Sequence, residues 1–177
     1  MSTSNSDLIQ NWQKIFRQYK ALGEKAMVQV SDERLFWTFY NDSNSVSMIV
    51  QHMSGNMLSR FTNFFEEDGE KPWRNRDKEF ELLISSREEM MLAWDKGWMC
   101  FFDVLDHLSN EDLDRKVIIR NEEHTVTEAF QRQLAHYSYH VGQIVFLSKM
   151  LAIESWNSLS IPKNGSSDFN NQMMGRG

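Results

Sequence analysis

The sequence has few of the residues that interrupt helices, and it lacks several motifs that mark common enzyme classes. Only two prolines occur in 177 residues, Pro72 and Pro162, and neither falls in a periodic apolar segment. Long helices are therefore permitted over most of the chain. A single cysteine, Cys100, excludes an intrachain disulfide. It sits in the apolar run Trp98-Met-Cys-Phe-Phe102 with no thiolate-stabilising neighbour, and so reads as a small buried hydrophobe. Gly-rich phosphate loops and a Gly-x-Ser-x-Gly elbow are missing. No apolar run approaches the roughly 18 residues that a membrane helix needs. The start, Met-Ser-Thr-Ser-Asn-Ser-Asp, has no basic segment leading into an apolar one, so the expected location is cytoplasmic. Basic residues are outnumbered, 19 Lys and Arg against 25 Asp and Glu, giving a net charge of −6. That balance argues against nucleic acid and anionic membrane surfaces as partners. Basic clusters at residues 71–78 and 115–120 are interleaved with acids or apolar residues and read as solvated faces.

What is present is apolar periodicity. With 41% hydrophobic residues, the chain is long enough for one domain with a substantial core. Leu8, Trp12, Ile15, Phe16, Tyr19, Leu22 and Met27 recur at three-to-four spacing, predicting a helix from a Ser4 or Ser6 cap to about residue 30. Ser31-Asp-Glu-Arg resembles a second cap and predicts a short helical turn within residues 31–39. A second long helix is expected from residues 43–45 to about residue 67, stopped by Asp68-Gly69, and a third over residues 86–108. Residues 116–125 read as a small β-hairpin. Thr125 with Glu128 forms a capping box for the last long helix, which runs to about residue 152. The expectation is an all-α four-helix bundle over residues 1–153, with the hairpin before its last helix. A polar tail, residues 154–177, is expected to be extended or disordered.

The strongest chemical signal is Gln133-Leu-Ala-His136-Tyr-Ser-Tyr-His140, two histidines four residues apart in a stretch with no charged side chain until Lys149. Residues at i and i+4 lie on one helix face about 6 Å apart, so both imidazoles can reach one divalent cation. An isolated pair of this kind is more often two hydrogen-bonded, half-buried histidines. A candidate third ligand is His52, because residues 43–59 carry polar but no charged side chains. A solvent-facing helix normally shows Lys and Glu, so this face is expected to be covered. His52, Asn56, Ser59 and Asn63 fall on one stripe, which a helix–helix or dimer contact would also explain. Asp103 and His107 are a weaker ligand pair. There is no His-Glu-x-x-His and no pair of Glu-x-x-His motifs, which sets aside zincin proteolysis and di-iron carboxylate chemistry. What remains is a mononuclear, all-nitrogen site, for which nickel, zinc or ferrous iron is suitable. Asn56, Tyr139 and Gln143 are candidates for the pocket around it.

The runs Ser45-Val-Ser-Met-Ile-Val-Gln-His52-Met-Ser-Gly-Asn56-Met-Leu-Ser-Arg60 and Arg132-Gln-Leu-Ala-His136-Tyr-Ser-Tyr-His140-Val-Gly-Gln-Ile-Val-Phe-Leu resemble the DinB-like superfamily. Leu113-Asp-Arg before the last long helix and Leu159-Ser-Ile-Pro162 after it extend the likeness over most of the chain. The resemblance implies a four-helix bundle, often a homodimer, with His52, His136 and His140 as metal ligands. It also implies a small-molecule substrate, with thiol S-transfer using a low-molecular-weight thiol among the activities of relatives. The function expected is a metal-dependent transferase or hydrolase. The rival expectations are a non-catalytic dimeric bundle whose histidines are structural or metal-sensing, and a metal-free helical module with an aromatic pocket from Trp94, Trp98 and Phe101.

Overall fold

The computed structural model describes residues 5–152 and 155–175. The chain is mostly helical, with one two-stranded antiparallel hairpin. Its helices are α1 (Asn5–Met27), α2 (Asp32–Leu35), α3 (Val46–Phe61), α4 (Arg87–His107), α5 (Val126–Leu151) and α6 (Ser166–Met174). The hairpin strands are β1 (Lys116–Ile119) and β2 (Glu122–Thr125), and 3₁₀ turns occur at Asp77–Phe80 and Asn110–Asp112. Helix α3 packs along α4 and α1 along α5, while α3 also meets α5 and the first 3₁₀ turn.

The long helices bury the centres of their apolar stripes; in α1, Trp12, Phe16 and Met27 are buried while Leu8, Ile15, Tyr19 and Leu22 are half-buried. Trp12 and Phe16 of α1, Phe61 of α3, Phe101 of α4 and Phe130 and Tyr137 of α5 are all at most 2% exposed. Their rings interlock: Trp12 stacks on Phe130 at 5.2 Å, and Phe16 meets Phe101 edge-on at 4.5 Å. Burying one such ring contributes roughly 1.5–3 kcal/mol, so this aromatic layer supplies much of what holds α1, α3, α4 and α5 together. Trp94 and Trp98 are also buried in it, as core side chains rather than as walls of an open aromatic pocket. Cys100 is half-buried beside Thr62, and burial pushes its thiol pKa up, in keeping with a packing role.

Side-chain caps mark the starts of α3, α4 and α5. Ser45 accepts from the Met48 amide and Ser86 from the Glu89 amide. Thr125 and Glu128 form the expected capping box, which joins β2 to α5 without a linker. The hairpin turns at Arg120 and Asn121, whose φ values of 57° and 63° match a two-residue turn with both central residues left-handed. The Asp68 carboxylate accepts from both of their amides, and Gly69 donates to Ile118, so the hairpin is docked on residues 68–70.

Three boundaries differ from expectation. Helix α1 stops at Met27 instead of near residue 30, and α3 at Phe61 instead of near residue 67. Asn63 takes φ 48°, and its carbonyl accepts the Glu66 and Glu67 amides in a separate turn, so the α3 stripe ends at Ser59 and Asn63 is exposed. The tail carries α6, a helix with no buried residue, where an extended or disordered segment is expected. The Ser4 cap lies outside the described residues. Among them, no helix is long and apolar enough to cross a membrane.

Candidate metal centre

Helices α3 and α5 bring His52, His136 and His140 to one point. His52 is buried, His136 and His140 are half-buried, and their ligand nitrogens all lie within 4.8 Å of one another. Nε2 of His136 is 3.4 Å from Nε2 of His52 and 3.0 Å from Nε2 of His140. Two nitrogens bound to one ion at about 2.1 Å would be about 3.0 Å apart at a right angle and about 3.4 Å apart at a tetrahedral angle. The third pair is no wider than 4.8 Å, so small side-chain rotations bring all three onto one ion.

The opposite ring nitrogens explain why the Nε2 atoms point inward. Nδ1 of His52 lies 2.9 Å from Oε2 of Glu79, and Nδ1 of His140 lies 2.8 Å from Oε1 of Gln143. Nδ1 of His136 faces Oε1 of Gln133 at 3.4 Å. All three partners are acceptors, so each ring carries its proton on Nδ1 and turns an Nε2 lone pair toward the other two. Three lone pairs at this separation repel unless a cation lies among them. The three histidines could therefore hold a metal ion, and their outer partners are of the type that orients metal-ligating imidazoles.

Burial, reinforced by neighbouring imidazoles, lowers His136 to about 3 and His140 to about 4. Both rings are neutral at physiological pH, which is the state a ligand requires. Glu79 is itself buried. Burial works to raise its carboxyl pKa, but hydrogen bonds from His52 and Arg74 outweigh it and hold the group below the usual carboxylate range. Arg74 grips Glu79 through two bonds, Nε to Oε1 at 2.7 Å and Nη2 to Oε2 at 2.9 Å. Phe80, next in the same 3₁₀ turn, stacks on the His52 ring at 4.9 Å.

A cavity of about 670 Å³ opens above the histidines. Asn56, Tyr139 and Gln143 line it, as expected. Asn56 accepts from the Tyr137 hydroxyl at 3.1 Å, and Gln143 donates to the Tyr139 hydroxyl at 2.9 Å. Five arginines line it too: Arg60, Arg74, Arg76, Arg120 and Arg132. The reading of residues 71–78 and 115–120 as solvated faces holds for Arg76, Lys78, Arg115, Lys116 and Arg120, which are exposed, and fails for Lys71 and Arg74. Lys71 is 3% exposed, the Arg74 side chain 2%, and Arg120 is carried to the cavity by the hairpin turn. Sequence reasoning missed Glu79, Phe80 and the arginines. A register signal for two of them was available, since Arg132-His136-His140 and His52-Asn56-Arg60 are each i, i+4, i+8 series. The other ligand pair does not assemble into the site. His107 and Asp103 are exposed, with the imidazole bonded to the Asp103 carbonyl.

Residues 3–165 match the family described as "Protein of unknown function (DUF1572)". The chain belongs to that family. The matched span contains all three histidines, Glu79 and the five cavity arginines of this DUF1572 protein. No curated protein and no solved structure matches the chain.

Proposed function

We propose that His52, His136 and His140 bind one divalent metal ion and that the protein is a metal-dependent enzyme acting on a small molecule, by thiol transfer or hydrolysis. On this reading α1, α3, α4 and α5 form a four-helix bundle of the DinB-like kind, and the protein works as a cytoplasmic homodimer. The observation that carries the proposal is the convergence of three Nε2 atoms whose rings are each bonded at Nδ1 to an acceptor. An all-imidazole set suits nickel, zinc or ferrous iron. It leaves the ion's full charge and further coordination positions for chemistry, as catalytic sites do.

The ion, when bound, would activate a water molecule or a small-molecule thiol as a nucleophile at neutral pH. The chain's own residues supply the surroundings. Gln143 joins the Nδ1–H of His140 to the hydroxyl of Tyr139, accepting from one and donating to the other. Because the Tyr139 oxygen accepts that bond, its own proton is free to be donated into the cavity. Tyr139 is thus placed to bind or protonate a ligand group beside His140. Glu79 and Arg74 hold the His52 ring in its Nδ1–H form, and Phe80 shields its face.

Elemental analysis after separate addition of Ni²⁺, Zn²⁺ and Fe²⁺ tests the metal reading. One equivalent in the native protein, lost in His136→Ala, is expected; sub-stoichiometric metal in both proteins overturns it. Activity is tested by screening thiol conjugation with bacillithiol, mycothiol and glutathione, and ester and amide hydrolysis, each against His52→Ala. Turnover that the variant abolishes is expected.

A further inference from the structure

The five cavity arginines are not equivalent. Glu70 alone serves three of them, reaching Arg120 at 2.9 Å, Arg60 at 3.1 Å and Arg74 at 3.6 Å, and Arg74 also holds Glu79. Arg76 and Arg132 have no carboxylate within ion-pair distance among the described residues. Five guanidinium groups against the two carboxylates Glu70 and Glu79 leave three positive charges over, two of them on Arg76 and Arg132, in a chain whose net charge is −6.

Both arginines are tied to the histidines by structure. Arg132 precedes His136 by four residues on α5, one helical turn or about 6 Å along the axis. The guanidinium of Arg76 lies over the Phe80 ring at 5.1 Å, and Phe80 stacks on His52, so the Arg76 head is held toward the cavity. The cavity, at about 670 Å³, falls within the size range of small-ligand sites.

We infer that the ligand of this cavity carries an oxyanion, a carboxylate or phosphate group, gripped by Arg76 and Arg132 while its other end faces the three histidines. This deepens the enzyme reading and rests on it only for the fate of that other end. Guanidinium heads present paired N–H donors that match the two oxygens of such a group. A polyanion such as nucleic acid is a poor occupant, because the protein as a whole is acidic, with a net charge of −6. An anionic small molecule needs only the local field. Uncompensated arginines at the rim would also raise its local concentration and favour fast capture at low salt.

The test is isothermal titration of the metal-free full chain with malonate and with inorganic phosphate at low ionic strength, with malonamide as the uncharged control. Malonate and phosphate are expected to bind, and malonamide not. Affinity is expected to fall with added NaCl and to drop at least tenfold in the double variant Arg76→Gln/Arg132→Gln. Arg132→Lys, which keeps the charge, should recover part of the loss in Arg132→Gln and so separate anion binding from a folding defect. Circular dichroism of each variant checks the fold. Equal malonate affinity in the native and doubly substituted proteins overturns the inference, as does malonamide binding as tightly as malonate, or no anion binding at all. Zinc titration of the same preparations keeps the two readings apart. Zinc bound without malonate sinks the anion site alone, and malonate bound without zinc sinks the metal centre alone.

Discussion

Gly55 and Glu79 are in direct opposition: a β-carbon on Gly55 of α3 would lie only 2.8 Å from Cδ of the Glu79 carboxylate. Glu79 sits there because His52, three residues before Gly55 on the same helix, takes one of its oxygens at 2.9 Å while Arg74 holds both. The missing side chain at position 55 is thus the space in which the His52 partner lies. Gly55→Ala should displace the carboxylate and weaken metal binding by about 10–100-fold, the usual effect of losing an outer partner of a ligand. Alanine also favours the helix by about 1 kcal/mol over glycine, so stability should fall far less than metal affinity does. Metal titration beside thermal unfolding checks this, and unchanged affinity would remove Glu79 from the site.

Gly97 of α4 gives the opposite result for a different physical reason. A β-carbon there would stand 2.9 Å from Cα of Ser54, which is backbone of α3 and has no rotamer to change. Gly97→Ala must force α3 and α4 apart, and overpacking of this sort costs about 1–3 kcal/mol. For a chain of this size, each kcal/mol lowers Tm by roughly 2–4 °C. A melting curve equal to that of the native protein would show that the two helices have room to spare.

Tyr137 and Asn56 tie α5 to α3 beneath the histidines, with the buried hydroxyl donating to the amide oxygen at 3.1 Å. Tyr137→Phe removes the donor and leaves a buried acceptor unpaired, at about 1–3 kcal/mol. Urea unfolding should show the loss as a lower midpoint with unchanged slope. Metal stoichiometry should survive, because the hydroxyl bonds none of the three imidazoles.

These features differ in how far the sequence reveals them. Thr125 with Glu128 and Ser45 before an apolar run mark helix starts through contacts three residues apart, and local pattern suffices for those. His136 and His140 are legible for the same reason. His52 is legible only indirectly, through the missing charge around it. Glu79 and Phe80 lie in a 3₁₀ turn within an aperiodic, highly charged segment, and no local rule places that turn against α3. The hairpin is readable as a hairpin, but its delivery of Arg120 to the cavity depends on Asp68 capturing the turn amides, a contact 52 residues away in sequence. The early end of α3 turns on Asn63 adopting φ 48°, where Asp68-Gly69 offers the louder stop signal.

The metal-free protein should lose stability on mild acidification, and the direction follows from the two half-buried imidazoles. Unfolded histidine titrates near 6.5. In the folded chain, burial and the facing rings hold His136 at about 3 and His140 at about 4. Between those values and 6.5 the unfolded chain binds more protons than the folded one, so the unfolding free energy decreases as pH falls. The contribution of neutral imidazoles is complete above pH 6.5 and disappears progressively down to about pH 3–4. Thermal melts of chelator-treated protein should therefore show Tm dropping from pH 7 to pH 5. The double variant His136→Gln/His140→Gln should lose most of that slope, because it removes the two groups that must charge on unfolding. A native slope equal to that of the variant would mean that both imidazoles are already solvated and free to protonate in the folded chain.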